Sequence, residues 1–274
     1  MPLNGNKKWT LYPLRGSSGE AFMGVNDDER VFFKKNTSPF ISTLSAIGLV
    51  PQLKWTQRTY SGEVLTAQEW IDGQLLQPCH MEKHEVTQII KFYQDNQFLL
   101  EMLSQVGGST KRPVDYIDEY FYDLPQALAN HQLFEAVITY LEQSIDDSFY
   151  DVEYTVCHGD LNHNNLILTP QEELFLVDWE SVCISDPLSD LTMLLCQYFS
   201  PSRWYSWFKS FGYETTDFTP RFYKRVEWYS LMNCLLLIKG YFLSNHSYKM
   251  NETILLLRAI YRSSQDKHNK KARS

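Results

Sequence analysis

His158-Gly159-Asp160-Leu161-Asn162-His163-Asn164-Asn165, followed by Leu176-Val177-Asp178-Trp179-Glu180, is the stretch on which the reading of this chain turns. Asp160 and Asn165 lie five residues apart, and Asp178 follows eighteen residues after Asp160. Between them, the apolar runs Asn165 to Leu168 and Leu174 to Val177 flank Thr169-Pro170-Gln171-Glu172-Glu173, a composition that predicts two strands and a turn. A hairpin of that length brings the chain back to its start, so Asp178 is predicted to emerge beside Asn165 and Asp160. Two oxygen ligands and one further carboxylate in a cleft suit Mg²⁺ together with a hydroxyl that must be oriented. The plainer alternative has both aspartates capping or turning a loop. It leaves the correlated spacing unexplained.

The chain has 274 residues, enough for one large domain or two lobes around a cleft. Its 43% apolar and 21% charged content is that of an ordinary folded protein, and a net charge of −8 argues against general nucleic-acid binding. Cys79, Cys157, Cys183, Cys196 and Cys234 show no paired spacing, and several sit in apolar runs, so they read as small hydrophobes in a reducing compartment. The first residues lack an apolar signal core and no run approaches bilayer length, which predicts a cytoplasmic protein without membrane insertion.

Residues 1–71 read as strands and turns, with runs at Phe22 to Val25, Val31 to Phe33, Leu53 to Thr56 and Val64 to Ile71. One short helix is expected after Ser38-Pro39, ending near Gly48. From about residue 82 the apolar spacing becomes helical, as in Val86, Ile89, Ile90 and Tyr93 or Leu133, Val137, Tyr140 and Leu141. Asp186-Pro187 opens another helix, and long helices are expected at about 221–243 and 251–262. The expectation is therefore α+β: a β-rich lobe over 1–71, a mostly helical lobe over 72–262, and a disordered basic tail over 263–274.

The His-Gly-Asp and Asp-Trp-Glu forms, with Asp186-Pro187-Leu188-Ser189-Asp190-Leu191 downstream, resemble the aminoglycoside phosphotransferase and choline kinase superfamily. The resemblance implies a bilobal protein-kinase-like fold acting on ATP with Mg²⁺. Asp160 would then orient the acceptor hydroxyl and take its proton, and Asn165 and Asp178 would hold the metal. His158 would support the loop, and Asp190 either orients that loop or stabilises its own helix as a first-turn acid. His163 would lie near the transferring phosphate or be an exposed loop histidine. Trp179 and Glu180 would wall an acceptor pocket.

Gly16-Ser17-Ser18-Gly19, between two strand-like runs, can present backbone N–H groups to phosphate oxygens or be an ordinary hairpin tip. Val31-Phe32-Phe33-Lys34 looks like the kinase strand that ends in the phosphate-binding lysine; alternation puts Lys35 on the opposite face. The stretch Val64 to Gly73 looks like the strand and hinge between lobes, with the Glu69 carbonyl and Ile71 N–H toward the adenine edge. One departure stands out. Kinases hold their lysine with a glutamate from the short helix, yet Thr37 to Gly48 contains no acid and Ile47 occupies the expected place. An unpaired, mobile Lys34 is the resulting expectation.

Gly16 to Gly24, Asn36-Thr37-Ser38-Pro39, Ala67-Gln68-Glu69-Trp70 and Val177 to Val182 resemble a narrower branch, the bacterial cell-cycle regulator kinases (CcrZ-like). That likeness implies a role in the timing of replication and division, protein partners from those processes, and a small sugar acceptor such as ribose or deoxyribose. For the acceptor, Tyr229 offers a flat wall to a sugar ring. Trp228 and Tyr229 with Tyr223 and Tyr241 could alternatively cage a choline-like cation, or simply pack a helical core. Asp115, Asp118, Glu119 and Asp123 either attract a polycationic aminoglycoside or form a solvated helix face. A small-molecule kinase and a kinase-fold scaffold working through protein contacts both stay open, and the intact set of Lys34, Asp160, Asn165 and Asp178 favours catalysis.

Overall fold

The computed structural model describes residues 9–14, 20–26, 29–59 and 62–271. They form two compact units that are not consecutive in sequence. The first takes the chain up to Ile89, then Gln97–Gly107 and His163–Ser181; the second takes Ile90–Asn96, Gly108–Asn162 and everything from Val182 onward. The expected boundary after residue 71 is thus not where the units divide. The Asn165-to-Asp178 hairpin groups with the first unit because it pairs with Gln74–Leu75 and bonds to Leu49 there.

In the first unit, β1 (Thr10–Pro13), β2 (Ala21–Val25) and β3 (Arg30–Lys35) are followed by helix α1 (Ile41–Ala46), then β4 (Leu53–Arg58) and β5 (Val64–Glu69). The strands form an antiparallel sheet in the order β1-β2-β3-β5-β4. Alternation along β3 sorts its side chains. Val31 and Phe33 are buried with Leu65 and Ala67 under Trp9, Phe22 and Trp55, while Phe32 and Lys34 point to the opposite face. Gly24 is required by this packing, since a Cβ there would stand 2.1 Å from the Phe33 ring.

The expected helix after Ser38-Pro39 begins slightly later, at Ile41, with Phe40 in the capping position. Ser38 and Pro39 instead make the preceding turn, in which the Phe40 N–H donates to Ser38 Oγ at 3.3 Å. After β5 the chain passes through β6 (Gln74–Leu75) into α2 (His84–Gln94) and α3 (Gln97–Gln105).

In the second unit, α4 (Pro113–Phe121), α5 (Gln126–Ala129) and α6 (Gln132–Ser144) lead to the short strand β7 (Thr155–Cys157). The hairpin β8 (Leu166–Leu168) and β9 (Leu174–Leu176) returns to the first unit, where β6, β8 and β9 form a three-stranded sheet. Leu166 pairs with Leu176, and the Leu176 N–H donates to Leu49 O at 2.9 Å, tying the hairpin to the chain leaving α1. Gly73 permits close approach of β6 to β8: a Cβ there would meet Ile167 Cγ2 at 2.5 Å.

Back in the second unit, β10 (Cys183–Ser185) pairs with β7, and α7 (Leu188–Tyr198), α8 (Trp204–Phe211), α9 (Pro220–Leu243) and α10 (Ser247–Lys271) complete it. Helix α9 buries its middle against α4, α6, α7 and α10. The tail expected to be disordered continues as helix α10 as far as Lys271. A polar composition without apolar periodicity does not forbid a helix that is already nucleated by a docked segment, and Leu257 and Ser264 of α10 are fully buried. Among the described residues no helix is long and apolar enough to cross a membrane.

Candidate active site

Lys34 sits at the end of β3 beside a cavity of about 580 Å³ that lies wholly within the first unit. Apolar walls come from Phe32, Ile41, Leu44, Val50 and Ile167, and polar groups reach it as Lys34, Asn165, Asp178 and Glu180. Glu69, Trp70 and Ile71 line it where the chain leaves β5, the position expected of a hinge. A mostly apolar hollow of this size with convergent polar groups is the usual form of a small-molecule site. Gly16, Ser17, Ser18 and Gly19 lie outside the described residues.

The hairpin positions two of the predicted residues. Asn165 ends a 3₁₀ turn that His163 opens, is almost fully buried, and accepts the Val177 N–H on its carbonyl at 2.8 Å. That bond closes the hairpin one residue before Asp178. Asp178 then adopts φ of +65°, a left-handed conformation uncommon for a residue with a side chain. The chain reverses there into the 3₁₀ turn Trp179–Ser181. His163 is half-buried and is not part of the cavity wall.

Lys34 is not unpaired. Its ammonium lies 2.7 Å from Asp178 Oδ1 and 2.7 Å from Glu180 Oε1, while Lys35 pairs with Glu63 on the other face. The Lys34 side chain is only 13% exposed, against 41% for Asp178 and 47% for Glu180. Burial by itself pushes the amine's pKa down, but the hydrogen bonds and charges of Asp178 and Glu180 outweigh it and leave it raised. Neither partner lies in α1, the element from which a kinase lysine is ordinarily held; both come from a turn far along the chain. Ile47 is not an alternative holder, since it caps the C-terminal end of α1 and lines a different hollow.

Trp179 and Glu180, expected to wall an acceptor pocket, line this same cavity. Trp179 is buried, donates its indole N–H to Leu176 O at 2.6 Å, and packs edge-on against Phe40 at 6.4 Å between ring centres. Its neighbours are thereby held to either side of a fixed ring.

Asp160 belongs to the second unit, on the loop after β7. It is exposed, and its Oδ1 accepts a hydrogen bond from Asn162 Nδ2 at 2.9 Å. The loop itself is pinned from below. His158 N and Gly159 N donate to the two carboxylate oxygens of Asp190 at 2.6 and 3.0 Å, and Tyr93 Oη donates to Asp190 Oδ2 at 2.7 Å. Burial and the Asp190 charge push the Tyr93 phenol well up, which keeps it a donor. Asp190 therefore orients the loop while standing as an acid in the first turn of α7. Gly159 takes φ of +80°, which explains glycine between His158 and Asp160. His158 is fully buried, with Nδ1 3.3 Å from the Asp160 N–H that donates to it. This is a supporting role.

Asp186 opens α7 as expected, accepting the Leu188 N–H at 3.0 Å, and its other oxygen meets Arg225 at 2.6 Å. Burial raises the Asp186 pKa, and the Arg225 charge opposes the rise. Tyr229, expected as an acceptor wall, is fully buried among Tyr116, Phe149 and Trp228, so its ring presents no face to a ligand. Trp228 is equally buried, its indole N–H spent on Leu141 O at 3.0 Å. Of the expected acidic face, Glu119 pairs with Lys111, and Asp115 accepts the Arg112 N–H at 2.6 Å.

The donor set suits magnesium. Mg²⁺ takes hard oxygen ligands and is commonly held by one or two carboxylates plus substrate phosphates. An asparagine and an aspartate lining one cavity, Asn165 and Asp178, offer that chemistry. No group of three or more His, Cys, Asp and Glu among the described residues gathers into an all-protein metal cage.

Solved structures with the same fold include choline kinase LicA from Streptococcus pneumoniae, at 14% identity and a TM-score of 0.66 over 92% of this chain and 93% of that one. A GDP complex of aminoglycoside 2'-phosphotransferase-IIIa matches at 14% identity and 0.65, over 95% of each chain. A choline/ethanolamine kinase family protein from Mesorhizobium loti matches at 16% and 0.60, over 95% of this chain and 90% of that one. At such identities these likenesses speak to the fold. The APH model, described as the phosphotransferase enzyme family, matches residues 39–223, and this chain belongs to that family.

Proposed function

We propose that this protein is an ATP- and Mg²⁺-dependent small-molecule kinase whose acceptor is a pentose or related polyol, working in the cytoplasm in bacterial cell-cycle control. The observation that carries the kinase reading is one cavity lined by Lys34, Asn165 and Asp178 together with the chain at Glu69 to Ile71. In this reading the Glu69 carbonyl and Ile71 N–H meet the adenine edge, and Lys34 meets the α- and β-phosphates. Asn165 and Asp178 hold the magnesium, which when bound neutralises charge on the phosphates. The bond between the γ-phosphorus and the β,γ-bridging oxygen breaks, and one forms from the γ-phosphorus to the acceptor oxygen. Asp160 orients the hydroxyl and takes its proton.

The polyol is favoured over a cationic alcohol because Trp228 and Tyr229, the strongest cage candidates, are buried in the helical core. The cell-cycle role, with replication or division proteins as partners, is supported by the CcrZ-like sequence runs alone. A choline or ethanolamine acceptor is the second reading, prompted by the choline kinase structures that share this fold.

A phosphoryl-transfer screen with Mg-ATP separates these readings. Ribose, deoxyribose, nucleosides, choline, ethanolamine and aminoglycosides are compared, with Asp160→Ala as control. Preference for a pentose, lost in the control, is the expected result. Preference for choline or ethanolamine removes the polyol. No turnover of any alcohol moves the weight to a scaffold that acts through protein contacts.

A further inference from the structure

The segment that holds a kinase lysine in place is expected to be the short helix, and here that helix carries nothing able to do so. Thr37 to Gly48 has no carboxylate, and α1 turns Ile41 and Leu44 toward the cavity instead. Thr66, directly across from Lys34 in the β3–β5 register, is uncharged. The acids that line the cavity are Glu69, Asp178 and Glu180, and Lys34 pairs with the last two.

Those two partners are not equivalent. Asp178 follows the residue whose N–H Asn165 accepts, both line the cavity, and it is the carboxylate that the kinase reading assigns to magnesium. A lysine 13% exposed still needs a counter-charge when Asp178 turns toward a metal. Glu180 is in place to supply it. Trp179, buried and bonded through its indole, fixes the turn between the two acids, so Glu180 reaches Lys34 from a rigid base.

We propose that Glu180 is the positioning residue for Lys34, doing from the turn after β9 what α1 lacks an acid to do and leaving Asp178 free for the metal. This rests on the nucleotide-kinase reading of the cavity. It gives Glu180 a task on the phosphate side of the reaction, in place of the acceptor-side role that its motif position suggested.

The test is a double-mutant cycle on nucleotide affinity. ADP binding is titrated by calorimetry for the wild type, Glu180→Gln, Lys34→Met and the double variant, each with Mg²⁺ and each in EDTA. Glu180→Gln keeps the shape of an exposed side chain, and thermal melts confirm that every variant is folded. The expected result is a loss of about five- to tenfold in ADP affinity for Glu180→Gln in EDTA as well as with Mg²⁺, with no further loss when it is added to Lys34→Met. Glu180→Asp recovers part of the loss. Losses that add in the double variant overturn the anchor role. A loss seen only with Mg²⁺ makes Glu180 a metal ligand instead, and a change confined to acceptor KM makes it an acceptor wall. Wild-type protein that binds no ADP under either condition overturns the nucleotide reading and this proposal together, an outcome distinct from additivity in a protein that binds.

Discussion

Two aspartate-bearing segments of this molecule are held in opposite ways. The loop from Cys157 to Asn162 rests on Asp190, a carboxylate 2% exposed that accepts two backbone N–H groups and a tyrosine hydroxyl. The turn from Asp178 to Ser181 is anchored through the buried Trp179, but its two acid side chains lie at the surface and share one lysine. Hydrogen bonds to a buried charge are strong and cannot be exchanged for water, so the first arrangement is rigid. Carboxylates at the surface can trade partners more readily than a buried one, even where the lysine they share is 13% exposed. The molecule thus places fixed geometry under Asp160 and exchangeable charge around Asp178.

The comparison breaks most visibly at Asp160. Asp160→Asn is expected to lower turnover by about 10²- to 10⁴-fold, the range of general-base catalysis, while nucleotide affinity and thermal midpoint stay at wild-type values. Steady-state kinetics alongside a melt checks this, and near-normal transfer would remove Asp160 from the chemistry.

Asp190→Ala should do the reverse on the stability axis. It strands the His158 and Gly159 N–H groups and the Tyr93 hydroxyl in a buried site, at a cost of about 3 kcal/mol. For a chain of this size that lowers the melting midpoint by roughly 6–12 °C. An unchanged midpoint would mean that the loop does not depend on its buried support.

Asp178→Ala is expected to lower stability by about 1 kcal/mol, because it sets an alanine at a left-handed position and removes one of the two partners of Lys34. If Asp178 holds the magnesium as proposed, it should also weaken Mg-dependent nucleotide binding by about tenfold or more. Calorimetric titration at several Mg²⁺ concentrations measures it, and affinity equal to the wild type would take Asp178 out of the metal site.

The smallest effect sharpens the contrast. Tyr93→Phe removes one of the three hydrogen bonds to Asp190 and should cost about 1 kcal/mol. Urea unfolding resolves a change of that size, and a neutral result would assign the loop's rigidity to the two backbone bonds alone.

Local patterns made much of this legible. The alternation of β3 already separated Lys34 from Lys35, and the Thr169-to-Glu173 turn predicted the β8–β9 hairpin that brings Asp178 beside Asn165. The shift to helical spacing anticipated α2, α6, α7 and α9, because period is a property of consecutive residues. The failures concern partners. Trp228 and Tyr229 are aromatic whether they cage a cation or fill a core, and only the packing of Phe149 and Tyr116 around Tyr229 decides for the core. The tail from 263 reads as polar and unstructured, yet it extends an already docked helix.

What the sequence by itself determined is the set of chemical groups and their local geometry: a hairpin closing on Asp178, a glycine that allows the turn into Asp160, an alternation that aims Lys34. These depend on spacing and on backbone preferences that act within a few residues. Which acid meets Lys34 was decided only by tertiary structure. Lys34 and Glu180 come together because β3 and the turn after β9 are folded against one cavity. No periodicity encodes a pairing between residues so far apart in the chain, since it exists only once two separately formed elements have packed.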